Sequence, residues 1–295
     1  MWITAIVTVL GVLALSADSE ALLNLAQLGK GGGVKWTDLK LKYEFPVSGK
    51  FNIPLSTGQI TNDYRFLKAH EDFDKVSLYI AGDDPRVQLM YDDYENICGL
   101  RVAYINDEIA KKTPKGETFP YSYEDKPIFK KGNELGKELY YIDVLFIHPD
   151  ILKTGGPATR TEPVGTGVYI QMDGKTWTEM PRNEEGMKDT KFTKQACFPG
   201  MGRHYFYNMS PEMKCENHHP VFLLYNKYEL VGLGLIPFGT FDAEFGKPWF
   251  ESPPREAIDF IVPSGPTCLK DWVGKYGTIS LHIYFRQFSE LNCVV

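Results

Sequence analysis

The sequence predicts a mainly β protein, of the β-rich α+β class. From residue 39 onward, short runs rich in Val, Ile, Tyr and Phe alternate with Gly, Pro, Asn and Asp, a pattern typical of strands joined by turns. Sustained apolar stripes with a 3.6-residue spacing are missing, so long amphipathic helices are not expected. The composition, with 43% hydrophobic and 24% charged residues among 295, excludes collagen, coiled-coil and disordered proteins.

Eight segments are the clearest strand candidates, because each is a short apolar run bounded by turn residues. They are residues 76–81, 87–91, 100–105, 139–147, 167–172, 221–225, 230–237 and 278–285. Two further segments, residues 106–112 and 255–260, have the composition for one or two helical turns but no apolar stripe. The sequence therefore predicts a strand-rich chain with one or two short helices.

The first residues have the pattern of a secretory signal peptide. Residues 3–15 form an apolar run, and the small residues Ala14 and Ser16 fit a signal-peptidase site. A membrane anchor would need about 20 apolar residues, and Asp18 ends the run too early. We therefore expect residues 1–16 to be cleaved, and the mature protein to be secreted and extracellular without inserting into a membrane.

Beyond the predicted signal peptide, residues 17–60 are expected to hold an N-terminal arm and the first strands. Residues 61–160 and 161–295 are expected to form a first β-rich half and a second, disulfide-bonded β-rich half. Residues 87–95 and 221–229 match at five of nine positions, and each segment has the pattern of a hairpin. These observations raise the hypothesis of two similar β subdomains, forming sandwich-like or barrel-like halves.

The charge balance argues against nucleic acid as a partner. The chain has 32 Lys plus Arg against 38 Asp plus Glu, a formal net charge of -6. A surface without a positive excess cannot neutralise a run of phosphates, and it gains little attraction to anionic lipid. The expected partner is instead a small apolar ligand or another protein.

Five cysteines lie beyond the predicted signal peptide. Those expected to form disulfides in an oxidising compartment are Cys197, Cys215, Cys268 and Cys293. The shortest loops would pair Cys197 with Cys215 and Cys268 with Cys293, but four cysteines allow three connectivities and the spacing does not select one. Cys98 is left over, and is expected either as a buried free thiol or as the link of a disulfide dimer.

The densest cluster of groups suited to chemistry spans residues 197–220. Gly200 and Gly202 permit backbone conformations closed to other residues, so a tight loop is expected to present His204. Extending the internal alignment without a gap pairs His70 with His204, which would face each other across a shared cleft if the halves are equivalent. The candidate ligand-binding residues are His204, Tyr205, Tyr207 and His70. The alternative is that the histidines pack separately and the aromatic residues belong to the sheet core.

A second interpretation of the same cluster is a metal-dependent enzyme centred on His204. Imidazoles from His204, His218 and His219, with His282 as a further source, would be the ligands of zinc or copper. The spacing matches no metal motif such as His-Glu-x-x-His, and neighbouring residues on a strand point to opposite faces. Structural histidines are therefore the alternative interpretation. Signatures of the common hydrolases, kinases and dehydrogenases are missing as well, which favours a protein that is not an enzyme.

Residues 192–207, FTKQACFPGMGRHYFY, resemble a family of uncharacterised secreted invertebrate proteins. The resemblance extends to residues 220–226, 281–284 and 290–293, and it covers about the last hundred residues of the chain. Its most specific motif is Cys-Phe-Pro-x-Met-Gly-x-His-Tyr. The resemblance implies secretion and a shared cysteine framework, and it transfers no activity and no catalytic residue.

Three functions follow as hypotheses. The favoured one is a secreted, disulfide-bonded binding protein for a small apolar ligand or a partner protein. The alternatives are the metal-dependent enzyme centred on His204 and an extracellular structural protein cross-linked through Cys98. Asn208 begins an Asn-Met-Ser triplet, which predicts an exposed glycosylation site and therefore a glycoprotein.

Overall fold

The computed structural model describes residues 35–44 and 47–286. The predicted signal peptide, residues 1–16, and Cys293 lie outside the described residues. The prediction of a mainly β protein is confirmed, since about 37% of the described residues are strand and 15% are helix. Within the described ranges, the strands form two large antiparallel sheets, neither of which closes into a barrel.

Each of the eight segments predicted as strands contains an observed strand. The strands, in chain order, are β1 (Lys40–Glu44), β2 (Val47–Asn52), β3 (Tyr64–Ala69), β4 (Ser77–Ala81), β5 (Asp84–Tyr91), β6 (Ile97–Ile105), β7 (Lys130–Glu134), β8 (Lys137–Leu145), β9 (Tyr169–Ile170), β10 (Thr178–Glu179), β11 (Phe192–Phe198), β12 (Gly202–Tyr207), β13 (Val221–Asn226), β14 (Glu229–Leu235) and β15 (Leu281–Tyr284).

The helices are short, as the sequence predicts. The α-helices are α1 (Asn106–Ile109), α2 (Pro149–Lys153), α3 (Ile258–Ile261) and α4 (Leu269–Tyr276). The 3-10 helices are Thr57–Gln59, Glu184–Asp189, Cys215–Asn217 and Arg255–Ala257. The predicted helical segments 106–112 and 255–260 coincide with α1 and with the 3-10 turn that leads into α3. The sequence patterns did not indicate α2 or α4.

The first sheet has seven strands in the order β11-β12-β13-β14-β15-β1-β2. The second sheet has eight strands, in the order β10-β9-β8-β6-β5-β4-β3 with β7 paired to β8. Strands β1 and β2 of the N-terminal segment therefore complete the sheet of the second half. Strands β9 and β10 lie beyond residue 160 in the sequence, yet they extend the sheet of the first half.

One large apolar core contains side chains from both sheets. Its members include Leu89 and Val144 of the second sheet together with Leu223 and Ile283 of the first, all fully buried. Phe285, just after β15, lies with its ring centroid 5.5 Å from that of Phe146, just after β8. Because side chains alternate along a strand, residues 282 and 284 of β15 point to the opposite face of the first sheet.

Two four-stranded units correspond between the sheets, namely β4-β5-β6-β8 and β12-β13-β14-β15. The matching hairpins are β5-β6 and β13-β14. Their strand pairing contains a register shift at the same place, between Met90 and Tyr91 in one hairpin and between Leu224 and Tyr225 in the other. The hydroxyl groups of both tyrosines donate to a proline carbonyl. The internal sequence similarity therefore coincides with the same pairing pattern in the structure.

Two glycines strengthen this correspondence. Gly99 lies opposite Met90, and Gly232 lies opposite the equivalent Leu224. A Cβ atom would lie 2.7 Å from the carbonyl oxygen of Val144 if added to Gly99, and 2.4 Å from that of Ile283 if added to Gly232. The same close approach between neighbouring strands thus requires glycine at the same position of both sheets, which supports an internal duplication.

The ungapped extension of the alignment to His70 fails. His204 lies opposite Leu224 in the first sheet, and the residue opposite the equivalent Met90 is Leu78. The structural counterpart of His204 is therefore Leu78 and not His70. The physical reason is that a tight turn joins β4 to β5, whereas a long connection with a 3-10 turn joins β12 to β13.

Candidate functional site

An apolar cavity of about 370 Å³ lies against the face of the first sheet that is opposite to Ile283 and Phe285. Its floor consists of side chains from three strands. These are His204 and Phe206 of β12, Phe222 of β13 and His282 of β15. The ring centroids of His204 and Phe222 are 5.5 Å apart, and those of Phe222 and His282 are 5.0 Å apart. The floor is therefore a continuous layer of aromatic rings.

The turn before β12 brings His204 to this floor. Gly200 and Gly202 have φ angles of 80° and 99°, which favour glycine, and they form the turn between β11 and β12. The predicted tight loop is thus a hairpin turn. His204 itself lies in β12, where its backbone pairs with Leu224, so its side chain is held by the sheet and not by a loop.

The segment 251–261 covers the cavity, and Pro253, Ala257 and Ile261 face it. Glu251 and Ser280 attach this segment to the sheet, since each donates its backbone N–H to the carbonyl of the other at 2.9 Å. A second apolar cavity of about 30 Å³ adjoins the first. The two cavities share Phe206, Ile236, Pro253 and Ile261 in their walls.

Gly234 leaves room for the aromatic floor. It lies opposite Phe222 and His282 in the pairing of β13, β14 and β15. At the corresponding positions of the second sheet, Arg101 lies opposite Asp143, and Arg101 Nε donates to Asp143 Oδ1 at 2.7 Å. The same scaffold therefore carries a buried ion pair on one sheet and an apolar cavity on the other.

Two buried polar atoms in the cavity wall have no hydrogen-bond partner within the described residues. They are Nε2 of His282 and Oγ of Ser280. The other imidazole nitrogen of His282, Nδ1, is hydrogen-bonded to the carboxylate of Glu251. His282 is 6% exposed and Ser280 is 1% exposed. Because an unsatisfied buried polar group is costly, both atoms indicate a site for a bound molecule.

His204 is neutral in the folded protein. Its burial, together with the neighbouring His282, lowers the pKa of His204 to about 3. Its Nδ1 lies 3.3 Å from the carbonyl oxygen of Ala196, which accepts the imidazole proton. The ring centroids of His204 and His282 are 6.2 Å apart. His204 therefore contributes an uncharged, mainly aromatic surface to the cavity.

Of the predicted ligand-binding residues, only His204 lines this cavity. Tyr205 and Tyr207 alternate to the other face of β12. The Tyr205 hydroxyl donates to the carboxylate of Glu184, and the ring centroid of Tyr207 lies 5.1 Å from that of Phe192. Both tyrosines therefore contact side chains on the face of β12 that is opposite to the cavity.

His70 belongs to a different cluster. Its Nε2 lies 3.4 Å from Oδ2 of Asp143 and 3.3 Å from Nη2 of Arg101, and its ring packs 5.0 Å from that of Phe73. His70 is therefore part of the buried ion-pair cluster of the second sheet. The expected cleft shared with His204 does not correspond to the cavity, since His70 is not among its lining residues.

The three predicted metal ligands have separate surroundings. His218 and His219 follow the 3-10 turn Cys215–Asn217 and not a strand. His218 Nε2 lies 2.8 Å from the carbonyl oxygen of Ile236, and the ring of His219 packs 4.6 Å from that of Tyr207. Burial lowers the pKa of His218 to about 4 and that of His219 to about 3. In the part of the chain that the structure describes, no group of three or more His, Cys, Asp or Glu side chains could hold a metal ion.

The structure selects among the open disulfide connectivities. Cys215 is bonded to Cys268, 53 residues away, which joins the connection before β13 to the start of α4. This disulfide excludes the two short-loop pairs, Cys197 with Cys215 and Cys268 with Cys293, because each of those pairs would use one of the two bonded cysteines. Cys197 is also disulfide-bonded, and Cys293 lies outside the described residues.

Cys98 is a free thiol with no exposed surface, and burial raises its pKa well above the ordinary value. A disulfide dimer through Cys98 would therefore require the surrounding apolar cluster to open. Asn208, the predicted glycosylation site, is exposed and has a φ of 52°.

Sequence patterns missed Glu251, Ser280 and Gly234. Glu251 lies in a Pro-rich connection with no strand or helix pattern, and nothing in its neighbours indicates a histidine partner. One signal was available in residues 280–284, where Ser280, His282 and Tyr284 alternate with the apolar Leu281 and Ile283. In a strand, this alternation places Ser280 and His282 on the same face.

Within the described ranges, no helix is long and apolar enough to cross a membrane. Comparison of the chain with models of protein families, with curated proteins and with solved structures gave no match. A functional conclusion therefore depends on the geometry of the site.

Proposed function

We propose that this protein binds a small, mainly apolar molecule in the cavity above His204 and His282. The observation that carries the proposal is an aromatic cavity whose wall contains two buried polar atoms that have no partner among the described residues. Ligand sites typically combine a cavity of about 300–1,000 Å³, an apolar lining and a few polar groups that orient the ligand. The volume of about 370 Å³ falls within that range.

Ordinary packing does not account for such a space. Protein interiors are close-packed, and voids larger than a water molecule are few. On the outer face of the second sheet, Leu78, Met90 and Cys98 pack in an apolar cluster with Phe73. Ser252 and Pro254 line the cavity and are exposed, so a ligand would have access from the surface.

A neutral fluorescent probe, N-phenyl-1-naphthylamine, tests this proposal directly. We expect saturable binding at one site with enhanced emission, because the probe leaves water for an apolar cavity. Ala257→Phe places a ring in the cavity and is expected to weaken binding about tenfold or more, a loss of about 1.4 kcal/mol. Phe260→Ala is the matched control, since Phe260 lies in the same segment but is 73% exposed. Equal binding by the parent protein and Ala257→Phe would contradict the proposal.

We also propose that the protein acts outside the cell. The support is the apolar run at residues 3–15 with its small residues at the expected cleavage site. Expression of the full chain in cultured eukaryotic cells is expected to deliver protein that begins at Ala17 to the medium. Asn208→Gln is expected to remove the mass of one glycan. Retention in the cells with residues 1–16 intact, measured by mass spectrometry, would overturn this proposal.

A further inference from the structure

We infer that the ligand is an uncharged molecule with a hydroxyl group on an apolar body, and that the cavity rejects carboxylates of the same size. This inference rests on the proposed binding function. It is carried by the arrangement of Glu251, His282 and Ser280 in the cavity wall. Each of these groups limits the chemistry of the ligand head group.

Glu251 fixes the role of the His282 imidazole. An ionised carboxylate has no proton to donate, so the hydrogen bond between Glu251 and Nδ1 of His282 places the imidazole proton on Nδ1. In the neutral imidazole the second nitrogen, Nε2, is then an acceptor. Since Nε2 has no partner within the described residues, the ligand atom that meets the neutral imidazole at this nitrogen is a hydrogen-bond donor.

Ser280 adds the complementary group. It precedes His282 by two residues in an extended segment, so both side chains point to the same face of the sheet. Its hydroxyl also has no partner in the described part of the chain, and a hydroxyl both donates and accepts. A ligand hydroxyl that donates to Nε2 of His282 has lone pairs left for the proton of Ser280. One hydroxyl therefore has both the donor and the acceptor that these two groups require.

The charge of Glu251 acts against anionic ligands. Its carboxylate lines the cavity, and a second carboxylate close to it would be repelled in surroundings of low polarity. Lys42, whose charge acts on Glu251, is not among the residues that line the cavity, and its ammonium group donates to the carbonyl of Pro248 at 2.7 Å. The neutral His204 contributes no positive charge.

Competition among matched ten-carbon compounds tests this inference. With N-phenyl-1-naphthylamine bound to the full protein at pH 7.5, we expect 1-decanol to displace it at a concentration at least tenfold lower than 2-decanone or decanoate. The ketone lacks the proton that Nε2 of His282 requires, and decanoate carries the disfavoured charge. Decanoate or 2-decanone binding as tightly as the alcohol would overturn the inference.

Variants then identify the groups responsible. His282→Phe is expected to lose the preference for 1-decanol over 2-decanone, measured as the ratio of the two displacement concentrations in the same variant. Ser280→Ala, which removes one oxygen atom, is expected to lower that preference about threefold or more; it decides the question if His282→Phe does not fold. An unchanged preference in Ser280→Ala and in any folded His282→Phe would contradict the assigned roles. Failure of the probe to bind the parent protein would instead refute the proposed function itself.

Discussion

The ring of Phe222 lies directly over Gly234 of the neighbouring strand, so that an added Cβ at Gly234 would be 2.0 Å from Cζ of Phe222. The two residues are paired across β13 and β14. Arg101 occupies the position of Gly234 in the second sheet. A glycine at residue 234 is therefore what allows an aromatic floor and a cavity on the first sheet.

Gly234→Ala is the first testable change. The added methyl group forces the Phe222 ring upward into the cavity, so we expect loss of probe binding and a free energy of unfolding lower by about 1–3 kcal/mol. Fluorescence titration and urea denaturation measure the two effects. Gly58→Ala is the control, because its added Cβ would meet only Ser56 Oγ, at 3.9 Å. Unchanged binding in Gly234→Ala would show that Phe222 does not form the floor.

The second prediction concerns acid stability. Since the pKa of His204 is lowered to about 3 in the folded protein, and is about 6.5 in the unfolded chain, the unfolded state takes up the extra proton. The free energy of unfolding therefore decreases as the pH falls from about 6.5 towards 3. When the pH is lowered from 7 to 5, the free energy of unfolding is expected to decrease by about 2 kcal/mol less in His204→Phe than in the parent protein.

Urea denaturation at both pH values measures this difference. His148→Asn is the control, because it removes an exposed imidazole and retains a side-chain acceptor for the first turn of α2. If the free energy of unfolding of His204→Phe decreases as much between pH 7 and pH 5 as that of the parent protein, His204 is not a buried neutral imidazole.

The third prediction concerns the buried ion pair of the second sheet. Burial alone would raise the pKa of Asp143, but the charge and hydrogen bonds of Arg101 hold it well below its ordinary value. Arg101→Met leaves this carboxylate buried without its main partner, so we expect a loss of about 3–5 kcal/mol at pH 7. The deficit should shrink as the pH falls, because Asp143, which keeps His70 and Lys130 as neighbours but has lost Arg101, then becomes protonated in the folded variant.

Arg65→Met gives the comparison for an exposed pair. Arg65 Nη2 donates to Asp83 at 2.8 Å at the surface, and exposed pairs contribute about 0–1 kcal/mol. A similar small loss in Arg101→Met, measured by denaturation at pH 7, would mean that water reaches the Asp143 carboxylate.

The fourth prediction concerns the disulfide between Cys215 and Cys268. It closes a loop of 53 residues, and in the chain-entropy model such a cross-link stabilises the folded state by about 4 kcal/mol. Cys215→Ser is expected to lose about that much free energy of unfolding. The double variant Cys215→Ser, Cys268→Ser is expected to lose no more than the single variant, because the two changes break the same bond. Additive losses would contradict the pairing.

The strand pattern of the sequence was informative because it is local. A run such as residues 221–225 needs only β-favouring apolar side chains and flanking turn residues to be recognised. The eight candidate segments do not include β1, β2, β3, β7, β10, β11 or β12. In β3, β7 and β11, charged and polar side chains hide the alternation. The predicted tight loop before His204 follows from Gly200 and Gly202, whose conformations are also a local property.

The site was harder to predict than the fold. His204 was identified from the composition of its surroundings, whereas Tyr205 and Tyr207 were included because the face of the strand was unknown. Their exclusion follows from alternation alone, once β12 is known to be a strand. His70 is a candidate only through the ungapped alignment of the two halves. That alignment fails because the connection between β12 and β13 is much longer than the turn between β4 and β5.

The sequence by itself determined the β class, the positions of eight strand segments and the internal similarity of two hairpins. Only the tertiary structure decided which side chains meet in the cavity. Glu251 and His282 are 31 residues apart, and a backbone bridge between the cover and the sheet brings them together. The reason is that side-chain preference acts over a few neighbouring residues, whereas a cavity is formed by pairing and packing between distant segments, which leave no signal in either segment alone.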